Sequence, residues 1–362
     1  MRRYALSAAL VLLLCFGLPF PASADNSGNV LALADLAAAG YDDVPDGHWS
    51  ADSVTQATNL GIFQGVSGGV FGLGQPISRA AFVTAMVRLF DWETVLPEEN
   101  SFTDVTEDRW FYSAVETALA NGGIAAADSE FRPTENITRE EMVSMLLRGL
   151  GYTSLAGIAS NYGTPFTDVS TNKGFVTVAY DMGIVSGVWE NLFDPSGLAT
   201  REQAATLLMR VYDRLSRETV QLEDAEGYQA VTVETPAAKE GDDLPTTPLE
   251  PLTELYNTLR QLKNSGTDME QVALCLTGGG VRTVNSPDGG IEDTDWLTSQ
   301  EVEELIQTEG VNTYYSDRYE SAYCLYQTVG GQTAVVWYQS DESLAAKLQL
   351  ACLFDVTNYV LV

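Results

Sequence analysis

Three arginines recur at one place in a repeating segment, and each is suited to hold an anion. Arg79, Arg139 and Arg201 follow Phe71, Phe131 and Phe193 by eight residues each, and each directly follows Ser78, Thr138 or Thr200. A guanidinium presents a planar fork of donors that matches carboxylate-like groups. If the preceding Ser or Thr is an N-cap, the arginine stands in a first helical turn, where free N–H groups also face an anion. A cation there opposes the helix dipole by roughly a few tenths of a kcal/mol, so a partner must offset it. Two partners fit the residues. One is an external anion. The other is the aspartate of an aromatic-x-Asp-Val opening, Asp43, Asp104 or Asp168, which would pin the loop or orient the arginine. Trp49 and Trp110, six residues after their aspartates, would offer a ligand an apolar face or begin a helix as core residues. Gly65 and Gly187 would let backbone approach a ligand, where the second copy has Ala127.

The elements that must position these residues repeat as well. Gly61-Ile62, Gly123-Ile124 and Gly183-Ile184 fall between the Asp-Val opening and the phenylalanine in each copy. Fixed offsets between unlike residues at a period of about 60 indicate an internal repeat. In the second copy Trp110, Ala114, Val115, Ala118 and Leu119 share one helical face, ended by Asn121-Gly122. Thr138-Arg139-Glu140-Glu141 is a capping box opening a second helix, with Met142, Met145, Leu146 and Leu150 as its buried stripe. The third copy repeats the box at Thr200 to Gln203, and the first keeps Ser78 but has Ala81 in place of the acid. Each copy is therefore a helix–loop–helix unit too small to bury a core alone, and stacking supplies the rest.

The Asp-Val opening, the following tryptophan and the closing Ser/Thr-Arg at 78–79, 138–139 and 200–201 resemble S-layer homology repeats, over roughly residues 30–215. The copies span 30–92, 98–152 and 160–216. The resemblance implies a pseudo-threefold arrangement whose grooves bind secondary cell-wall polysaccharide carrying a pyruvylated, anionic sugar. It carries over to Asp43, Trp49, Gly65, Arg79, Asp104, Trp110, Arg139, Asp168, Gly187 and Arg201. The third copy departs, with Phe175 one residue after the expected tryptophan, so the grooves are expected to be unequal, with one dominant.

Composition sets the compartment. Arg2 and Arg3, the apolar run Ala5 to Phe16 and Ala22-Ser23-Ala24 read as a secretory leader, 1–24, cleaved after Ala24. Pro19 and Pro21 interrupt that run, and no later segment suits a membrane span. A formal charge of −31 repels nucleic acid and anionic lipid and favours solubility outside the cell. Cys275, Cys324 and Cys352 allow one disulfide or three buried thiols, and none has metal-ligand spacing.

Residues 217–250 are acidic and proline-containing, as in a solvated spacer, with a possible strand from Tyr228 to Val233. Residues 251–362 read as a small α+β module of unknown type. A helix is expected from Leu252 to Leu262, a buried strand over 272–276, a helix capped by Thr298 and a hairpin turning at Gly330-Gly331. A helix over 343–350 and a terminal strand follow. Gly278-Gly279-Gly280 precedes strand residues and is no phosphate loop, and Asp288 to Asp295 misses EF-hand order. The chain's one histidine, His48, lies outside the module, which excludes histidine-based triads within it.

The expectation is a secreted, non-enzymatic surface protein. A mostly α repeat region would grip the wall polysaccharide noncovalently and present a small α+β binding module, whose own partner is unknown. No cofactor, metal or nucleic acid enters this reading. A wall-associated hydrolase and an S-layer lattice subunit are the alternatives, the first leaving room for carboxylate-pair chemistry.

Overall fold

The computed structural model describes residues 40–125, 129–233, 251–276, 278–285, 291–316 and 321–361. The expected leader and Ala127 lie outside these residues. The chain divides into two units, which meet in sequence between Arg214 and Leu215.

The N-terminal unit is helical. Each copy supplies a first helix (α1 Ala51–Asn59; α3 Tyr112–Ala120; α6 Lys173–Asp181) and a second (α2 Arg79–Leu89; α4 Arg139–Gly149; α7 Arg201–Leu215). A helix absent from the sequence reading, α5 (Thr153–Ala159), is inserted before the third copy and packs on α6. Ser78 caps α2 by accepting from the Ala81 N–H, and Thr138 with Glu141 forms the full capping box of α4. At α7 only half of the expected box is made. Gln203 accepts from the Thr200 N–H, while the buried Thr200 hydroxyl is unpaired.

Three buried residues bind the copies together. Ile77 donates its N–H to the Ala199 carbonyl, Ala199 to that of Ile137, and Ile137 to that of Ile77, at 2.9–3.0 Å. Their side chains are at most 1% exposed, so each bond is shielded from water. This closed cycle brings the starts of α2, α4 and α7 together.

The C-terminal unit is α+β. A four-stranded parallel sheet has the order β1-β9-β3-β2, from β1 (Val220–Gln221), β2 (Gln229–Val233), β3 (Val272–Leu276) and β9 (Asn358–Leu361). Helix α8 (Pro251–Asn264) lies between β2 and β3 in the chain, the crossover kind of connection that parallel neighbours require. Residues 220–221 and 229–233, expected in the spacer, are thus sheet strands, because Val231 and Val233 bury against the apolar run at 272–276.

Between β3 and helix α10 (Asp341–Leu353) lies a five-stranded antiparallel sheet, ordered β5-β4-β8-β7-β6. Its strands are β4 (Gly280–Asn285), β5 (Ile291–Leu297), β6 (Asn312–Ser316), β7 (Ser321–Gln327) and β8 (Thr333–Tyr338), with α9 (Ser299–Ile306) between β5 and β6. Val302 of α9 packs with Ala322, Cys324, Val336 and Tyr338. The β7–β8 turn forms at Gly330-Gly331 as the sequence predicts, with Gly331 at φ 78°. The acidic stretch ending at Asp295 is largely strand β5, where Asp293 and Asp295 pair with Arg282 across the ladder. Among the described residues no group of His, Cys, Asp or Glu is placed to hold a metal ion. Cys275, Cys324 and Cys352 lie on separate elements and form no disulfide with one another, so the disulfide alternative is not realised.

Candidate functional site in the repeat unit

The repeat aspartates act on backbone. Asp43 accepts from the N–H groups of Phe71, Gly72 and Leu73 at 2.7–2.8 Å. Asp104 accepts from Phe131 and Arg132, and Asp168 from Phe193 and Asp194. Burial works to raise the Asp43 and Asp168 pKa values, but these donors outweigh it and hold both below the ordinary carboxylate range. Each aspartate thereby fixes the loop that carries its phenylalanine.

The phenylalanine carbonyl then meets an arginine of another copy. Arg79 Nε donates to the Phe131 oxygen at 2.9 Å, Arg139 Nε to Phe193 at 3.0 Å, and Arg201 Nε to Phe71 at 2.8 Å. Each guanidinium also lies over the ring of that phenylalanine, 4.8–5.1 Å from its centroid. So the direct Asp–Arg pair expected as the alternative to a ligand is replaced by a relay, carboxylate to loop to arginine. The helix starts are occupied too. The backbone N–H groups of Arg79, Arg139 and Arg201 donate to the carbonyls of Glu135, Gly197 and Gln75. These three N–H groups are not left over for an anion.

Those ends differ. Arg139 Nη2 lies 3.3 Å from the Ser186 carbonyl and Arg201 Nη2 2.6 Å from that of Gln64. Arg79 Nη1 instead pairs with Glu141 Oε1 at 2.7 Å, and Arg79 is buried. Burial lowers the pKa of all three, yet an arginine remains charged.

A cavity of about 230 Å³ opens beside Arg139. It takes Trp49 from the first copy, Arg139 from the second, and Gly187, Phe193, Gln203 and Arg210 from the third. Three predicted site residues therefore meet in one place, each from a different copy. Trp49 and Trp110 are 59% and 67% exposed, so neither is the core residue that a helix start suggests. Gly65 and Gly187 serve tight loops. A Cβ would lie 2.6 Å from the Val70 oxygen at Gly65, and 2.7 Å from the Leu192 and Trp189 oxygens at Gly187. Internal fit is therefore one requirement that both glycines meet.

A further arginine recurs in each copy, outside the residues singled out above. Arg88, Arg148 and Arg210 stand nine residues after Arg79, Arg139 and Arg201, an offset as regular as those already described. Arg88 and Arg210 donate to the Ile62 and Ile184 carbonyls, whereas Arg148 lies over the Phe175 ring at 4.5 Å.

Residues 40–83, 101–143 and 165–205 match the family model of the S-layer homology domain. The chain carries three S-layer homology domains in tandem. Relatives through this region include the exoglucanase XynX of Acetivibrio thermocellus, 29% identical over 48% of this chain and 16% of that protein. The S-layer protein of Bacillus thuringiensis subsp. finitimus is 26% identical over 57% of this chain and 26% of its own length. A cell surface protein of Thermoanaerobacter kivui is 34% identical over 30% of this chain and 15% of its own. The aligned region thus spans about a quarter or less of the relatives it matches. S-layer homology domains place it at the bacterial cell wall and surface, the setting of these S-layer and surface proteins. No described helix is long and apolar enough to cross a membrane.

Proposed function

We propose that the three S-layer homology domains form a pseudo-threefold ring that anchors the chain noncovalently to an anionic, pyruvylated secondary cell-wall polysaccharide, and that the C-terminal α+β unit is a binding module displayed from that anchor, not an enzyme. The hydrogen-bond cycle through Ile77, Ile137 and Ala199 supports the ring. The observation that carries the function is the cavity beside Arg139. Its guanidinium and that of Arg210 supply positive charge on a very acidic protein, and the exposed Trp49 indole supplies an apolar wall for a sugar ring. Both arginines are tethered by backbone carbonyls, so they are oriented before any ligand arrives.

Cosedimentation with purified cell walls tests this reading. The chain should pellet with intact walls, stay in solution once the polysaccharide is chemically stripped, and lose most of its binding as the Arg139→Ala/Arg201→Ala double variant. Equal pelleting of stripped and intact walls would rule it out.

A further inference from the structure

We infer that the groove at Arg79 is closed by the chain's own Glu141, so that the chain offers two anion-accepting grooves, at Arg139 and Arg201, and not three. This rests on the groove-binding reading above and identifies the residue that decides which grooves work.

The three grooves share the arginine-to-phenylalanine contact and diverge at the residues around the guanidinium. The residue two places beyond the arginine on the second helix of the copy that each arginine meets is Glu141, paired with Arg79; Gln203, which lines the Arg139 cavity; and, by the same offset, Ala81 in the copy that Arg201 meets. Only the glutamate can neutralise. Its Oε1 lies 2.7 Å from Arg79 Nη1 and 3.8 Å from Arg132 Nη2, while its Oε2 holds the Thr138 N–H and hydroxyl at 3.0 and 3.1 Å. The carboxylate is thus fixed by its own helix and aimed at the arginine. An incoming anion would compete with a tethered carboxylate whose effective concentration is of millimolar order or higher.

The same groove has lost its aromatic wall. Trp49 lines the Arg139 cavity, and the residue of the third copy at the same offset from its aspartate is Gly174. By the cyclic order of the copies, that position belongs to the groove of Arg79. A Cβ at Gly174 would lie 1.7 Å from the Ala156 oxygen of α5, so the inserted helix leaves no room for an indole there. The next residue, Phe175, is buried and lies beneath Arg148 instead. The loss of tryptophan in the third copy and the glutamate of the second therefore converge on one groove.

The chain itself supplies the discriminating substitution. Gln203 bonds to the Thr200 N–H as Glu141 does to that of Thr138, so Glu141→Gln keeps this half of the cap while removing the charge. Calorimetric titration of the full chain with a methyl 4,6-O-pyruvylated hexopyranoside should give two sites. Arg79→Ala should leave both affinities within about twofold, and Arg139→Ala or Arg201→Ala should each remove one site. Glu141→Gln should add a third, weaker site that Glu141→Gln/Arg79→Ala loses again, with thermal melts confirming that each variant is folded. Three sites in the unmodified chain, or two sites unchanged by Glu141→Gln, would overturn the closure while leaving the groove reading intact. No binding of the probe by the unmodified chain, at walls it nevertheless pellets with, would overturn closure and arginine grooves together.

Discussion

Arg201 reaches back 130 positions along the chain to donate its Nε hydrogen to the carbonyl oxygen of Phe71 at 2.8 Å. That contact joins the last repeat to the first, and its counterparts at Arg79 and Arg139 join the repeats between. Because Asp43 fixes the Phe71 loop through three backbone donors, the oxygen is held in place for it. Replacing Arg201 with Ala leaves that carbonyl and the Gln64 carbonyl without this donor, and should destabilise the repeat unit by about 1–3 kcal/mol. Lysine should not restore the loss, since one ammonium cannot reproduce the fork. Urea unfolding of the three chains measures both outcomes.

The loop glycines make a separate prediction about stability. Gly65→Ala and Gly187→Ala each force a methyl group against backbone oxygens at 2.6–2.7 Å, which only a loop shift can relieve. Each should lower stability by roughly 1–3 kcal/mol. Binding measured well below the melting temperature should fall far less than in Arg139→Ala. A glycine needed for contact with a sugar would show the reverse pattern.

Trp49→Ala should behave in the opposite way. The side chain is mostly exposed, so stability should change by no more than about 0.5 kcal/mol. Affinity for the pyruvylated glycoside at the Arg139 groove should fall about tenfold, with the Arg201 groove unaffected. Calorimetric titration resolves the two.

Acid should loosen the repeats through their aspartates. Asp168 has its pKa lowered: burial opposes ionisation, but the Phe193 and Asp194 N–H groups and the charge of Arg139 prevail. A carboxyl depressed in the folded state contributes stability that is fully present above the unfolded value of about 3.9 and is lost as pH falls through the folded value. The stability gap between the unmodified chain and Asp168→Asn should therefore be constant from pH 7 to about 5 and shrink below about 4. Thermal melts across that range give the profile.

Cys324 should resist alkylation. It is fully buried on β7, and burial pushes its thiol pKa up to about 11. In the folded chain at pH 8 iodoacetamide should label it far more slowly than in urea, and reducing agent should leave the melting temperature unchanged because the three cysteines form no disulfide.

Much of this organisation is legible in the residues, because it is local. Capping at Ser78 and Thr138, the starts of α2, α4 and α7 at their arginines, and the Gly330-Gly331 turn all follow from short-range chemistry. The site residues are also identifiable, since Asp43, Arg79 and their counterparts recur at fixed offsets. What the spacing does not carry is which copy serves which. Trp49, Arg139 and Gly187 share a cavity only because the copies close cyclically, and no offset within a copy encodes that. The same limit hides the pairing of Arg79 with Glu141, which reads in sequence as a cap residue alone. Strand β5 is obscured for another reason. Its alternating acids resemble a solvated loop until Arg282 on the neighbouring strand is known to meet them.

The cycle through Ile77, Ile137 and Ala199 leaves no repeat at an end. An open stack of repeats needs specialised outer units to cover its exposed faces, and can lengthen by one unit at a time. A circuit already closed by its third member has neither need nor room for a fourth. Duplication of a single repeat in such a gene would yield a segment with no partner to donate to, whereas duplication of all three would yield a second complete anchor. Growth of this architecture is thereby quantised in threes.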